Sequence, residues 1–143
     1  MKNRITKHIR VEAADLVPHE LNFRTHPDAQ RAALVAFYDE IGFARSLLAY
    51  ELPDGCFKLI DGHLRPELTP EEEVEVLDVN DEEARKLLLS IDPLAQLAQT
   101  DQDIHAQLRQ ITASDNEILN QLWAATDNDA VKTGVRSYLR SLI

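Results

Sequence analysis

The sequence predicts an α+β domain over residues 6–98, with a small mixed sheet and flanking helices, followed by an all-helical extension over residues 100–143. Before residue 98, short β-prone runs alternate with helix-start motifs. After residue 100, apolar side chains recur only at helical spacing. At 143 residues and 44% hydrophobic composition, the chain is long enough for one domain with its own core.

The net charge of the chain indicates which classes of partner it can bind. Its formal net charge is −10, whereas non-specific affinity for duplex DNA comes from Lys and Arg side chains at the phosphates. We therefore do not expect the chain to wrap duplex DNA by itself. Residues 70–103 hold eleven acidic residues against Arg85 and Lys86. A solvated face is the expected interpretation, with metal binding or repulsion of nucleic acid as alternatives.

Cysteine and apolar content indicate the compartment. The single cysteine, Cys56, excludes an internal disulfide framework and a Cys-only metal site. No run of about 18 apolar residues occurs, and no apolar segment follows the basic N-terminus as in a secretory signal. We expect a cytoplasmic protein without a membrane partner.

Four runs read as strands. Residues 8–12 alternate well enough for the first. Residues 47–52 and 56–60 form a hairpin around the Pro-Asp-Gly turn at residues 53–55. Residues 73–79 alternate acid and aliphatic side chains, so their polar side should face water.

A helix lies between the first strand and the hairpin. Thr25 or His26 precedes Pro27, which is expected at the first helical position, and Gly42 ends the helix. One face is apolar, and its aromatic pair is interpreted as core packing in preference to a ligand cage. The apolar residues of that face are Ala33, Leu34, Phe37, Tyr38 and Ile41.

A second helix follows the last strand. Asn80 and Glu83 form a capping box, with asparagine at the cap and glutamate three residues on. Asp92 and Pro93 are expected to start a separate helical piece over residues 94–99, because Asp caps helices and proline fits only the first turn.

The extension reads as helical throughout. Residues 101–111 carry one apolar side, and Ser114 with Glu117 reads as another capping box. A last helix is predicted from about residue 129 to 142. The extension is expected to pack on the domain, on a partner chain or on a larger domain.

The stretch at residues 58–67 carries the chemistry. A β-prone run leads directly into Asp61-Gly62-His63-Leu64-Arg65. Gly62 lets the backbone turn and approach a ligand closely, and Arg65 offers a planar, permanently charged fork for phosphate oxygens. This layout indicates an anion pocket. The alternative is a hairpin-to-helix corner with a solvated arginine.

Three segments carry a resemblance to a known family. They are HIRVEAADLVPHELNFR, EIGFARSLLAYELPDGCFKLIDGHLR and VEVLDVNDEEARKLLLSID. In this order they resemble the ParB N-terminal domain superfamily, which shares its fold with sulfiredoxin, over roughly residues 7–98. The residues in these segments are more similar to those of ParB-like domains that stand alone or accompany DNA-modification enzymes than to those of chromosome-partitioning ParB. The resemblance implies that the loop after the hairpin and the segment after the first strand hold nucleotide phosphates.

Carried over residue by residue, the resemblance assigns four phosphate-binding positions. Asn22 and Arg24 match the asparagine-proline-arginine signature, and Gly62 and Arg65 match the phosphate motif. His63 joins them as a possible phosphate donor.

The departures from the family pattern limit the chemistry. Phe23 replaces the signature proline, and His63-Leu64 replaces the glutamate and first arginine, so one phosphate contact is missing and hydrolysis of a cytidine nucleotide is in doubt. His63 also takes the place of the sulfiredoxin cysteine, which argues against reductase chemistry. Ile91 stands where a magnesium-ligating glutamate is expected, and Asp92 or Glu83 is a candidate substitute. For Asp92, a capping role is preferred.

Three functional hypotheses follow. The first is a module that binds a phosphate or a nucleotide, with a nucleoside triphosphate (CTP or ATP) and Mg²⁺ as the expected ligands. It would act in a DNA-associated system, namely partitioning, DNA modification, a phage or a mobile element. It would reach DNA through a partner protein or a larger assembly. The second is a metal-dependent nuclease or NTPase in which Asp61 and His63 activate water. The alternative role for His63 is that of a loop histidine that only forms local hydrogen bonds. The third is a structural adaptor with a vestigial pocket and a helical extension that mediates homo-oligomerisation.

Overall fold

A five-stranded mixed sheet forms the centre of the protein. The computed structural model describes residues 1–126, and its strands have the spatial order β1-β5-β3-β4-β2. The strands are β1 (Ile5–Glu12), β2 (Leu16–Val17), β3 (Leu47–Glu51), β4 (Phe57–Asp61) and β5 (Glu71–Leu77). β2 pairs with β4 and β3 with β5 in parallel, whereas β1 with β5 and β3 with β4 are antiparallel. The predicted α+β class and the β3–β4 hairpin are confirmed.

Four helices accompany the sheet. They are α1 (Asp28–Glu40), α2 (Asp81–Gln96), α3 (Gln102–Ile111) and α4 (Glu117–Ala125). Helix α4 packs against α1, and the Ser114 hydroxyl donates a hydrogen bond of 2.6 Å to Glu40. The helix predicted near residues 129–142 lies outside the described residues. Among residues 1–126, every helix is too short or too polar to cross a membrane.

Each face of the sheet carries its own apolar cluster, as alternating strand side chains require. One cluster contains Leu16, Leu47, Ala49, Leu59, Val74 and Val76. The other contains Tyr50 and Ile60 of the sheet and Ala84 of α2, which packs over this face. Full burial of an aliphatic side chain stabilises the fold by roughly 1.5–3 kcal/mol, so the sheet and α2 are held mainly by these clusters.

The ends of β1 and β5 differ from the sequence prediction by two or three residues. β1 begins at Ile5 because it continues pairing with β5 as far as Leu77. β5 begins at Glu71 and ends at Leu77, not at residues 73–79, so Glu72 falls in phase with the buried valines of the strand. The two-residue strand β2 is too short to show a period of two and was missed.

The predicted helix break at Asp92 is wrong. Helix α2 runs without interruption through Pro93 to Gln96. The missing N–H of Pro93 removes only one hydrogen bond near the end of the helix, and the buried residues Ala84 and Leu88 hold α2 on the sheet. The capping box at its start is confirmed, with Asn80 accepting from the Glu83 N–H and Glu83 from the Asn80 N–H.

Two other helix starts differ by one or two residues. Pro27 is the cap of α1 and the helix begins at Asp28. In the extension, Asn116 caps α4 by accepting from the N–H groups of Ile118 and Leu119. Ser114 was predicted to be that cap, but its hydroxyl contacts Glu40 and the Asn116 N–H.

Candidate functional site

A cavity of about 380 Å³ opens beside the loop that follows β4, within the size range of small-molecule sites. Its walls come from the segment before α1, from α1 itself, from the approach to β3, from the loop after β4 and from the end of α2. All six residues proposed from the sequence line it, namely Asn22, Arg24, Asp61, Gly62, His63 and Arg65. The apolar part of the wall includes Leu34, Phe37, Tyr38, Ala44, Leu47 and Leu64.

Gly62 sets the shape of the loop. Its φ is +94°, a backbone conformation that costs other L-residues about 1–2 kcal/mol. A Cβ added at Gly62 would also overlap the side chain of Leu47, which is buried at the end of the cavity. Glycine is therefore required here both by the turn and by the packing of Leu47.

Arg24 lines the cavity with a guanidinium group in which only some of the N–H donors have partners. Its Nε lies 2.7 Å from Asp92 Oδ2, and its guanidinium lies over the Phe23 ring at 4.9 Å. Its Nη2 is buried and has no hydrogen-bond partner among the described residues. A buried donor left without an acceptor is unfavourable by about 1–3 kcal/mol, and a phosphate oxygen in the cavity would supply that acceptor.

Arg65 lies deeper in the wall than Arg24 and is held by Glu72, a backbone carbonyl and two aromatic rings, while its Nε is buried without a hydrogen-bond partner among the described residues. Its Nη2 lies 2.8 Å from Oε2 of Glu72, and its Nη1 donates a hydrogen bond to the carbonyl of Arg45. The guanidinium also stacks over the rings of Tyr38 and Phe43, at 5.6 and 5.0 Å. The charge of Arg65 is thus balanced within the fold by Glu72, and the Tyr38 ring packs against its guanidinium.

His63 is an uncharged hydrogen-bonding residue at neutral pH. Burial of its ring, and next the charge of nearby His19, lowers the pKa of His63 to about 4. Its Nε2 accepts a hydrogen bond of 3.1 Å from the backbone N–H of His19. The neutral ring then carries its proton on Nδ1, so Nε2 is not free to act as a general base. His63 matches the local hydrogen-bonding alternative and keeps one donor for a ligand.

Asn22 and Asp61 complete the set. Asn22 Oδ1 lies 3.5 Å from the backbone N–H of Arg24, and the Asn22 N–H donates to the His19 carbonyl, so Asn22 shapes the segment that presents Arg24. Asp61 lies 3.4 Å from Arg45 Nη2. Asp61 and His63 face the same cavity, and their predicted catalytic role stays a prediction.

Sequence reasoning did not predict the ion pairs that three charged residues form at the site. Arg45 lies in an irregular segment and carries no local signal. Asp92 was interpreted as a helix cap, with a magnesium ligand as the alternative, and only the fold places it at Arg24. Glu72 had a usable signal, because it alternates in phase with the buried residues Val74 and Val76.

Metal-ligating side chains are sparse in the described part of the chain. Within residues 1–126, no three His, Cys, Asp or Glu side chains come together as a metal site. Asp61 and Asp92 both line the cavity, but each faces an arginine. Glu83, the other candidate for magnesium, is bound by Arg4 at 2.7 and 2.9 Å and does not line the cavity. Within the described residues, the carboxylates that line the cavity are Asp61 and Asp92.

Comparison with known proteins identifies the fold. A scan against protein-family models and a search of curated proteins both give no match. Among solved structures, the chain is similar to the C-terminally truncated chromosome-partitioning protein ParB from Caulobacter crescentus, complexed with CTP-gamma-S, with a TM-score of 0.54 at 17% identity. The similarity covers 68% of this chain and 57% of that one.

A second structure agrees. The ParB-N domain of a Pnob8-like protein aligns with a TM-score of 0.50 at 16% identity, covering 82% of this chain and 52% of that one. The chain therefore spans just over half the length of either structure. Since two ParB structures align over most of the described residues, the protein has a ParB-like fold.

Proposed function

We propose that this chain is a ParB-like module that binds a nucleotide through its phosphates. The observation that carries the proposal is the meeting of Asn22, Arg24, Gly62, His63 and Arg65 in one cavity, where Arg24 Nη2 is buried without a hydrogen-bond partner in the described residues. Guanidinium groups with unused donors are suited to phosphate oxygens.

The two kinds of wall suit the two parts of a nucleotide. Arg24 and the neutral His63 ring supply donors at the polar wall, where phosphate oxygens would bind. Phe37, Leu34 and Leu47 supply an apolar surface on which a base would pack. Arg65, anchored by Glu72, supports the loop that forms the floor between them.

The nucleotide we propose to test first is CTP. A CTP analogue occupies the similar Caulobacter crescentus ParB structure, and the resemblance in sequence points to CTP or ATP. Mg²⁺ would enter with the triphosphate, and Asp61 is the carboxylate of the cavity wall that would contact it. The module would act in a DNA-associated system, and the net charge of −10 favours DNA contact through a partner protein or larger assembly.

Calorimetric titration tests this proposal. CTP, ATP and GTP are titrated with and without Mg²⁺ into the wild type, Arg24→Gln and Arg10→Gln. Arg10 is the matched control, because it is an exposed arginine that pairs with Glu73 and does not line the cavity. Loss of a charge-assisted hydrogen bond should weaken binding in Arg24→Gln by roughly 10- to 100-fold. The proposal fails if no nucleotide binds at millimolar concentration, or if both variants bind like the wild type.

A further inference from the structure

Each arginine of the cavity already faces a carboxylate. Arg24 lies 2.7 Å from Asp92, Arg45 lies 3.4 Å from Asp61, and Arg65 lies 2.8 Å from Glu72. The three positive charges are therefore matched by three negative charges. An anion that enters the cavity meets guanidinium groups whose field is largely cancelled.

The three carboxylates differ in how readily they can give way. The Glu72 side chain is fully buried and receives a hydrogen bond from the Thr69 hydroxyl, so it cannot leave Arg65 without a large loss of stability. Asp61 faces Arg45, whose side chain is 80% exposed and screened by water. The Asp92 side chain is 39% exposed, so it can turn toward water, and it pairs with Arg24, whose Nη2 is buried without a hydrogen-bond partner among the described residues.

Taking the proposed function as its basis, we infer that Asp92 is an internal counterion of Arg24 that competes with the phosphates of the ligand. An incoming phosphate takes over the guanidinium while the Asp92 side chain turns toward solvent. A ligand with more negative charge is repelled more strongly by Asp92 when it approaches Arg24. Asp92 thus lowers the affinity of the site for highly charged anions and is a specificity-determining residue.

Removal of the Asp92 charge provides the test. Asp92→Asn keeps the size of the side chain and one oxygen acceptor for Arg24. Glu82→Gln is the matched control, because it removes one negative charge from an exposed position of the same helix, where Glu82 pairs with Lys86. Full-length wild type and both variants are titrated with CTP, pyrophosphate and orthophosphate in EDTA, at low and high salt, after their melting curves confirm folding. Asp92→Ser serves as a second variant.

The expected result is roughly tenfold tighter binding of CTP and pyrophosphate to Asp92→Asn, with a smaller gain for orthophosphate. The gain should shrink as salt rises, which a purely structural effect would not do. If the wild type binds and Asp92→Asn binds no more tightly than Glu82→Gln, the counterion role is overturned while the proposed function stands. If wild type and Asp92→Asn both fail to bind any of the three anions, the proposed function is overturned and the counterion role with it.

Discussion

The guanidinium Nη2 of Arg65 lies 2.8 Å from Oε2 of Glu72, and the two side chains are 8% and 0% exposed. This buried ion pair joins the loop after β4 to the start of strand β5, where Glu72 is the second residue. The Thr69 hydroxyl also donates a hydrogen bond to Glu72, and Arg65 donates one to the carbonyl of Arg45. The residue that the sequence marks as a phosphate ligand is therefore also a structural anchor.

Breaking this pair should destabilise the protein strongly. Arg65→Ala leaves the Glu72 carboxylate buried without its partner, and the free energy of unfolding should fall by about 3–5 kcal/mol. Urea unfolding followed by circular dichroism measures the loss. Arg31→Ala is the control, because Arg31 pairs with Glu67 at the surface and should change stability by about 0–1 kcal/mol.

Replacement of both partners should recover much of that stability. Arg65→Met combined with Glu72→Leu leaves no buried charge without a counterion, so the double variant should be more stable than Arg65→Ala. If Arg65→Ala is no less stable than Arg31→Ala, the pair does not hold the loop. Nucleotide affinity is better probed at Arg24, because loss of binding in Arg65→Ala would combine a lost contact with unfolding.

Gly62→Ala tests the geometry of the loop itself. The positive φ of Gly62 should cost about 1–2 kcal/mol in alanine, and displacement of the buried Leu47 side chain should add about 1–3 kcal/mol. Gly55→Ala isolates the first effect, since Gly55 has φ +87° and no atom near an added Cβ. Denaturant unfolding of the two variants should show Gly62→Ala to be the less stable, and equal losses would contradict the packing role.

Stability should fall as His63 is forced to take up a proton. The pKa of His63 is lowered to about 4 in the folded protein and is near 6.5 in an unfolded chain. The unfolded state therefore binds a proton first, and stability is lost as pH falls from about 6.5 toward 4. The loss should be on the order of 1–2 kcal/mol, less than the full shift implies, because the ring is only partly buried.

His63→Gln provides the reference for that pH dependence. Glutamine does not titrate and offers an oxygen to the His19 N–H in place of Nε2. Urea midpoints measured between pH 7 and pH 4 should drop more steeply in the wild type than in His63→Gln. Parallel curves for the two proteins would show that His63 titrates normally.

The capping box of α2 gives a fourth prediction. Asn80→Ala removes the acceptor for the Glu83 N–H and should lower stability by about 0.5–2 kcal/mol. Asn80→Gly should lose only a few tenths, because glycine tolerates the cap conformation. Thermal or urea unfolding of both variants measures the two losses, and unchanged stability in Asn80→Ala, which lacks the side-chain acceptor, would mean that the cap hydrogen bond contributes little.

Local patterns in the sequence were sufficient for the main elements. The alternation of glutamate and aliphatic residues predicted β5, the Asn80–Glu83 spacing predicted the start of α2, and the Asp61-Gly62 step predicted a turn, because each depends on neighbours within a few residues. The grouping of Asn22 and Arg24 with Gly62 came from a resemblance, and the structure places all three residues in the wall of one cavity.

Short-range sequence patterns therefore predicted the α+β class, the hairpin, the cap of α2 and the glycine turn. The packing of these elements sets which charges meet: Asp92 lies at Arg24 instead of capping a helix, and Glu72 pairs with Arg65. These pairs form between separate elements, and their attraction depends on distance and burial after the sheet and helices pack. A pattern of neighbouring residues predicts the period of a strand or helix, but it does not predict which residue will pair with a buried charge.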